Sequence, residues 1–345
     1  MPIAGGLDIH RKQLTFGYLD TVTGQVLRGQ VTPAGREHLR GWLGRFAGRD
    51  DVGFAVEGCT GWRYVAGELA AAGITAHVGE PADAAAARGR ERHAKTGRTG
   101  SRHLGQLLAG GRLPECWIPP RQVLVCRALL EAYQALRREH TAWVQRIRAV
   151  FFHQGAPRLG EGALRTAQGL AAVRAASAAH LSPAGQLQAA TAPDMLTCLE
   201  DRLDVLRHQL LAAARQLAGA KVLAARLCGA GPVTALALTC WPGGKDRFSS
   251  ARKAVRFAGL DITVYSPGGK RSPGQLSRQG PPVLRWAAYE AGKVRARAAA
   301  PGHGCCAAVA GRKNTRRAAL SGARKIIRQA CRILAGLGGD ALTAA

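Results

Sequence analysis

Apolar and polar residues alternate from Gln13 to Leu19 and again from Gln25 to Val31. Between them lies Asp20-Thr21-Val22-Thr23-Gly24, and the pattern predicts a β-hairpin within Leu7 to about Val31. After Pro33, the Arg/Leu/Trp spacing from Glu37 to Phe46 predicts a short helix. Val52 to Val56 is an apolar run ending at Glu57, Trp62 to Ala72 reads as helix, and Ile74 to Val78 as a further short strand. Strands and helices then alternate, which predicts an α/β domain over residues 1–120 with acidic residues at strand ends.

From Arg121 the pattern changes to a long Ala/Leu/Arg-rich helix reaching about Gln154, a Gly/Pro break from Gly155 to Gly162, and more helix. Leu199, Leu203, Leu206, Leu210 and Leu217 fall on one stripe. The stripe fits either a helix packed on its own domain or an intermolecular coiled coil, and residues 121–220 are read as a helical region of that kind. From about Lys221 a third, basic region is expected, over 221–345. It opens with Gly229-Ala230-Gly231, a turn similar to a helix–hairpin–helix, whose glycines would let backbone N–H groups approach a phosphate. A plain tight helix–helix connection is the alternative. A polar loop from Ser266 to Arg278 precedes a helix predicted from Pro282 to about Ala300. The last helix carries Arg316, Arg317, Arg324, Lys325, Arg328 and Arg332, either a solvated face or a stripe that tracks a phosphate backbone.

Charge narrows the function. A net charge of +27 over 345 residues is extreme for a metabolic enzyme and fits a polyanionic partner. A bias toward Arg, Ala and Gly would explain Arg in place of Lys, but not the shortage of Asp and Glu. Nine cysteines occur without a CxxC pair, so neither a zinc site nor a disulfide framework is indicated. No secretory apolar stretch follows Met1 and no apolar run is long enough to span a bilayer. The expectation is a cytoplasmic, nucleoid-associated protein with no membrane partner.

The candidate chemistry lies in three stretches: Gly6-Leu7-Asp8-Ile9-His10-Arg11-Lys12, Val56-Glu57-Gly58-Cys59-Thr60-Gly61, and Lys95-Thr96-Gly97-Arg98-Thr99-Gly100-Ser101. Distal segments follow in order: Gly229-Ala230-Gly231-Pro232, Asp246-Arg247-Phe248, Phe257-Ala258-Gly259-Leu260, Ser266-Pro267-Gly268-Gly269-Lys270-Arg271, and Ser277-Arg278-Gln279-Gly280 before Leu284-Arg285. Together they resemble the DEDD-type insertion-sequence transposases, the IS one-ten family, over nearly the whole chain. The resemblance implies an RNase H-like N-terminal domain similar to Holliday-junction resolvases, a helical coiled-coil middle, and a mainly α-helical C-terminal transposase domain. It also implies four acids binding divalent metal (Mg2+), a serine that joins DNA covalently, an element-encoded guide RNA, and a homo-oligomer acting on DNA.

Carried over by position, Asp8 and Glu57 match the first two acids as catalytic and metal-binding residues. The other two would fall at Gly97 and Gly100, which have no side-chain oxygen, while Arg98 and Arg102 make the spot cationic. Ser266 is the candidate nucleophile; if the second serine of a family pair is meant, Pro267 stands in its place. Lys95, Arg98, Arg102, Lys270, Arg271, Arg278 and Arg285 are the candidate nucleic-acid contacts. His10 and His77 are alternatives for acid–base work, and Asp20 and Asp83 for completing a metal site. Two functions stay open: a transposase acting on DNA with a guide RNA, or a nucleic-acid-binding remnant whose chemistry is lost.

Overall fold

The computed structural model describes residues 2–87, 97–160, 162–244, 247–263, 274–301 and 303–343. The chain divides into two compact units, Met1–Ile118 and Pro119–Ala345.

The first unit holds β1 (Ile3–Ile9), β2 (Leu14–Asp20), β3 (Val26–Val31), α1 (Arg36–Leu43), β4 (Val52–Glu57), α2 (Trp62–Ala71), β5 (Thr75–Gly79), α3 (Pro81–Ala86) and α4 (Gly97–Ala109). The strands form one mixed sheet in the order β3-β2-β1-β4-β5. β1, β2 and β3 are antiparallel neighbours, and β4 and β5 continue the sheet parallel to β1. The predicted hairpin is β2–β3, its turn closed by Asp20 Oδ1, which accepts from the N–H groups of Val22 (2.9 Å) and Thr23 (3.2 Å). Gly24 supplies the left-handed residue at φ 72°.

Alternation gives the sheet two unlike faces. One carries Leu7, Leu14, Phe16, Tyr18, Phe54 and Val56, packed with Trp42 and Phe46 into the core. The rings of Phe16 and Trp42 lie 4.7 Å apart between centroids, and those of Trp42 and Phe54 5.3 Å apart. The other face is built from Ala4, Gly6, Gly17, Gly53 and Ala55, and α4 lies close against it. A Cβ on Gly6 would stand 2.0 Å from the Ser101 carbonyl oxygen, and one on Gly105 3.2 Å from the Gly6 nitrogen. Leu104 and Leu107 anchor α4 by burial, each contributing about 1.5–3 kcal/mol.

The second unit is helical among its described residues: α5 (Arg121–His153), α6 (Ala167–His180), α7 (Pro183–Gln216), α8 (Ala218–Arg226), α9 (Pro232–Cys240), α10 (Ala251–Phe257), α11 (Pro282–Arg295), α12 (His303–Arg312) and α13 (Thr315–Leu337). Starts follow the capping residues: Thr166 accepts from Gly169 N–H at 3.0 Å, and Asn314 from Arg317 N–H at 2.9 Å. α5 and α7 pack against each other. On α7 the predicted stripe is half-buried at Leu199, Leu203 and Leu206 and buried at Leu210; Leu217, just past its end, is buried too. α11 and α13 cross on small residues, where a Cβ on Gly292 would stand 2.5 Å from the Ala319 carbonyl oxygen. α11 stops at Arg295 and not near Ala300, as the pattern predicted. Past it the N–H groups of Arg297 and Ala300 bond three residues back, to the carbonyls of Val294 (3.1 Å) and Arg297 (3.0 Å), so the chain continues in tight turns. All nine cysteines are free thiols. No helix among the described residues is long and apolar enough to cross a membrane.

Candidate functional site

β1 and β4 run parallel with Leu7 opposite Val56, so Asp8 and Glu57 follow at the C-terminal ends of neighbouring strands. Leu7 and Val56 point into the aromatic core, and alternation sends Asp8 and Glu57 to the α4 face. Thr15 joins them there, because the antiparallel register sets it opposite Asp8. The Asp8 side chain is 20% exposed, and its Oδ2 lies 2.9 Å from His10 Nε2.

α4 opens at Gly97 and delivers both glycines to this spot. A Cβ on Gly97 would stand 2.8 Å from Asp8 Oδ2 and 3.0 Å from Thr15 Oγ1. A Cβ on Gly100 would stand 3.4 Å from Asp8 Cγ and 3.5 Å from its Oδ1. The pair is three residues apart and therefore on one helical face, bracketing the carboxylate. Thr15 is 2% exposed, and its hydroxyl has no hydrogen-bond partner among the described residues. That buried, orphaned hydroxyl faces the position where a side chain at residue 97 would begin. The local geometry is a cradle for an acceptor that glycine does not supply.

Among the described residues the side chains at this spot do not fit a two-cation site. Such a site needs several converging oxygens. Among the described residues no group of three or more His, Cys, Asp or Glu is placed to hold a metal ion. The first turn of α4 carries no acid, and the exposed Arg98 and Arg102 add positive charge. The alternative acids belong to other parts of the unit. Asp20 serves its turn, where the Thr23 and then the Val22 N–H groups hold its carboxyl below the usual range. Asp83 lies in α3, where its N–H donates to Glu80 Oε2 at 2.7 Å. His77 Nδ1 pairs with Glu115 Oε1 at 2.9 Å.

In the second unit, residues 261–263 and 275–277 form a two-sided stem. Thr263 N–H donates to the Gln275 carbonyl at 2.8 Å and Ser277 N–H to the Asp261 carbonyl at 3.0 Å. The Ser277 hydroxyl donates to Asp261 Oδ1. The residues between the two sides include Ser266, Pro267, Lys270 and Arg271, which lie outside the described residues, as does Lys95. Arg278 and Arg285 come together below this stem. Arg278 takes a left-handed backbone at φ 52°. Arg285 Nη1 donates to the carbonyls of Arg278 (3.2 Å) and Ala258 (3.3 Å), so its guanidinium ties backbone together. Burial, and then the neighbouring Arg278 charge, lower its pKa. Arg324 Nε likewise donates to the Leu260 carbonyl at 2.7 Å. Of the glycine pair between α8 and α9, Gly229 (φ 90°) abuts α11, where its Cβ would stand 2.5 Å from the Ala291 carbonyl oxygen. Gly231 caps α9 with open space beside it.

Sequence reasoning did not single out Thr15. The hairpin register was the available signal: pairing Leu14 to Ile9 across the sheet puts Thr15 beside Asp8.

No curated protein matches the chain. Residues 222–303, from within α8 through the stem and α11 to the start of α12, match the model of the Transposase IS116/IS110/IS902 family. This match falls on the segment that carries the ordered distal motifs, and over it the chain is similar to transposases of the IS116/IS110/IS902 family.

Proposed function

We propose that this chain is an insertion-sequence transposase that holds element DNA together with a guide RNA, and that its N-terminal metal chemistry is lost. The observation that carries the second part is the pair Gly97 and Gly100 set against the Asp8 carboxylate. Where ligand oxygens would converge, the described residues offer Asp8, Glu57 and the Thr15 hydroxyl, which has no partner among them. The sheet order β3-β2-β1-β4-β5, an antiparallel meander continued by parallel strands, supports an RNase H-like first unit. The net charge of +27 supports a nucleic-acid partner. The half-buried stripe on α7 leaves apolar surface for a second copy, in keeping with a homo-oligomer.

In this reading the acids and Ser266 have separate fates. Asp8 and Glu57 remain as anionic side chains without a full ligand set. Ser266 is followed by Pro267 where the family pair would place a second serine. The retained function is binding, with the phosphate backbone supplying most of the affinity.

Covalent DNA capture tests the proposal. The unaltered chain and the triple variant Gly97→Asp/Gly100→Asp/Pro267→Ser are mixed with magnesium, element ends and guide RNA. Capture by the triple variant alone supports a scaffold whose chemistry has lapsed. Capture by the unaltered chain refutes the loss, and assigns the chemistry to Ser266 or another serine.

A further inference from the structure

α5 and α9 pack against each other inside the second unit, and each brings one cysteine to the contact. Cys126 lies in the second turn of α5 and is 7% exposed, whereas Cys240 ends α9 and is fully buried. The Cys240 thiol donates a hydrogen bond to the Cys126 sulfur. The two backbones are tied at the same level. Arg127, the residue after Cys126, donates from Nε to the Cys240 carbonyl at 2.9 Å and from Nη2 to the Trp241 carbonyl at 3.3 Å. Its guanidinium also lies 5.5 Å from the centre of the Trp241 ring. The thiols therefore meet in a fixed register between two anchored helices.

The pair is unequal. The hydrogen bond from Cys240 pulls the Cys126 thiol below its ordinary range, against the effect of burial. The same hydrogen bond, and then burial, push the Cys240 thiol well up. Cys126 is thus the sulfur that more readily becomes a thiolate, and the thiolate is the nucleophile. It is also the one with an edge in solvent. Cys240 keeps its proton and stands shielded behind it, in contact with the first sulfur. That division matches an attacking thiol with a resolving thiol beside it.

We infer that Cys126 and Cys240 are an oxidation site, which a peroxide converts to a disulfide between α5 and α9. The Cys126 thiolate attacks one peroxide oxygen: an S–O bond forms, the O–O bond breaks, and the leaving oxygen takes a proton as water or alcohol. Cys126 is then a sulfenic acid. Cys240 attacks that sulfur in turn: an S–S bond forms, the S–O bond breaks, and the hydroxyl leaves with the Cys240 proton as water. The two thiols give up two electrons and the peroxide accepts them. The product closes a ring of about 115 residues. It staples α9, which lies in the segment similar to the transposase family, to α5. The site is independent of the chemistry at Asp8.

The test treats the full chain with hydrogen peroxide, blocks remaining thiols by alkylation, and digests it without reductant for mass spectrometry. Linked peptides holding residues 126 and 240 are expected, and dithiothreitol should release them. The oxidised chain should melt about 5–10 °C above the reduced one. Cys240→Ser is expected to leave Cys126 as a sulfenic acid that dimedone captures, and Cys126→Ser to leave Cys240 a thiol. Neither variant should gain in melting temperature. The exposed Cys198 and Cys305 report that peroxide reached the protein. Alkylated thiols at both 126 and 240 in a chain oxidised at Cys198 or Cys305 would overturn the site. So would a linkage that appears only after unfolding in denaturant, or an equal thermal gain in Cys240→Ser. The linkage in the unaltered chain decides the case even where a serine variant fails to fold.

Discussion

Restoring acids at both glycines should create a metal-linked stability that the present chain lacks. In Gly97→Asp/Gly100→Asp the new Cβ at residue 97 starts 2.8 Å from Asp8 Oδ2, so the Asp8 carboxylate must swing aside. Three carboxylates then share one small space. Unit charges 4 Å apart repel by about 4 kcal/mol at an effective dielectric near 20. Asp8 keeps 20% of its side chain in solvent, and that contact together with salt reduces the cost to about 1–2 kcal/mol per pair. Without metal the double variant should therefore be less stable than the unaltered chain at neutral pH. The repulsion raises the folded-state pKa of the restored acids. The destabilisation is thus complete above those raised values and disappears once pH falls below the unfolded values near 4. Magnesium at about 100 times its dissociation constant returns about 2.7 kcal/mol, close to 10 °C in melting temperature for a unit of this size. Thermal unfolding with magnesium or with chelator, at about pH 7.5 and about pH 4.5, reads all of these effects. The unaltered chain should show no magnesium shift. An equal shift in both proteins, or none in a folded double variant, would refute the ligand argument.

Further outcomes follow from packing and charge. Gly292→Ala places a methyl 2.5 Å from the Ala319 backbone oxygen and 2.7 Å from the Ala323 nitrogen, neither of which can yield without moving α13. It should cost about 2–3 kcal/mol in denaturant unfolding, and a change under about 0.5 kcal/mol would sink the close-crossing account. Gly6→Ala should lift α4 from the sheet at similar cost and speed amide exchange along α4; unaltered exchange there would contradict the contact with Ser101. Glu68 is held below the usual carboxylate range by its hydrogen bonds to Arg40 first and then Arg36, against the opposing effect of burial. Its contribution is present above the unfolded pKa near 4.5 and is lost as pH falls through the lower folded value. Glu68→Gln should cost about 1–2 kcal/mol at neutral pH, since both arginines can turn to water, and should flatten the acid limb of the stability curve. An unchanged acid limb would place the acid sensitivity elsewhere.

Much of the first unit was legible because its signals are local. The hairpin of β2 and β3 announces itself by alternation and by the Asp20 turn, and the run ending at Glu57 by its apolar length. The opening of α4 near Gly97 also follows from the motif. β1 was harder. Its sequence, Ile-Ala-Gly-Gly-Leu-Asp-Ile, carries two glycines that weaken strand propensity: Gly5 leaves room for the Phe54 ring in the core, and Gly6 allows the close approach of Ser101 and Gly105. No local pattern announces a partner so far along the chain. The same limit applies to the charges. From sequence, Arg278 and Arg285 look like free cations beside Lys270 and Arg271, but Arg285 is occupied with backbone carbonyls. Thr15 gained meaning only once register fixed its neighbours.

The glycine-lined seat of α4 also sets the order in which the molecule can assemble. The β2–β3 hairpin closes over a few residues and can form within microseconds. Pairing of β1 with β4 must wait for a longer excursion, since it joins Ile3 to Val52. Docking of α4 onto β1 brings Gly97 back to Asp8 across about 90 residues of chain, so it carries the largest entropic cost of closure in the unit. Because the seat is made of glycine and alanine, early, loose association gains little, and Leu104 and Leu107 reach their buried positions only with the final close fit of backbone against backbone. The Asp8 end of the sheet is therefore the last part of the unit to mature. A chain caught before that step would have its sheet and aromatic core in place while Asp8 still faced water.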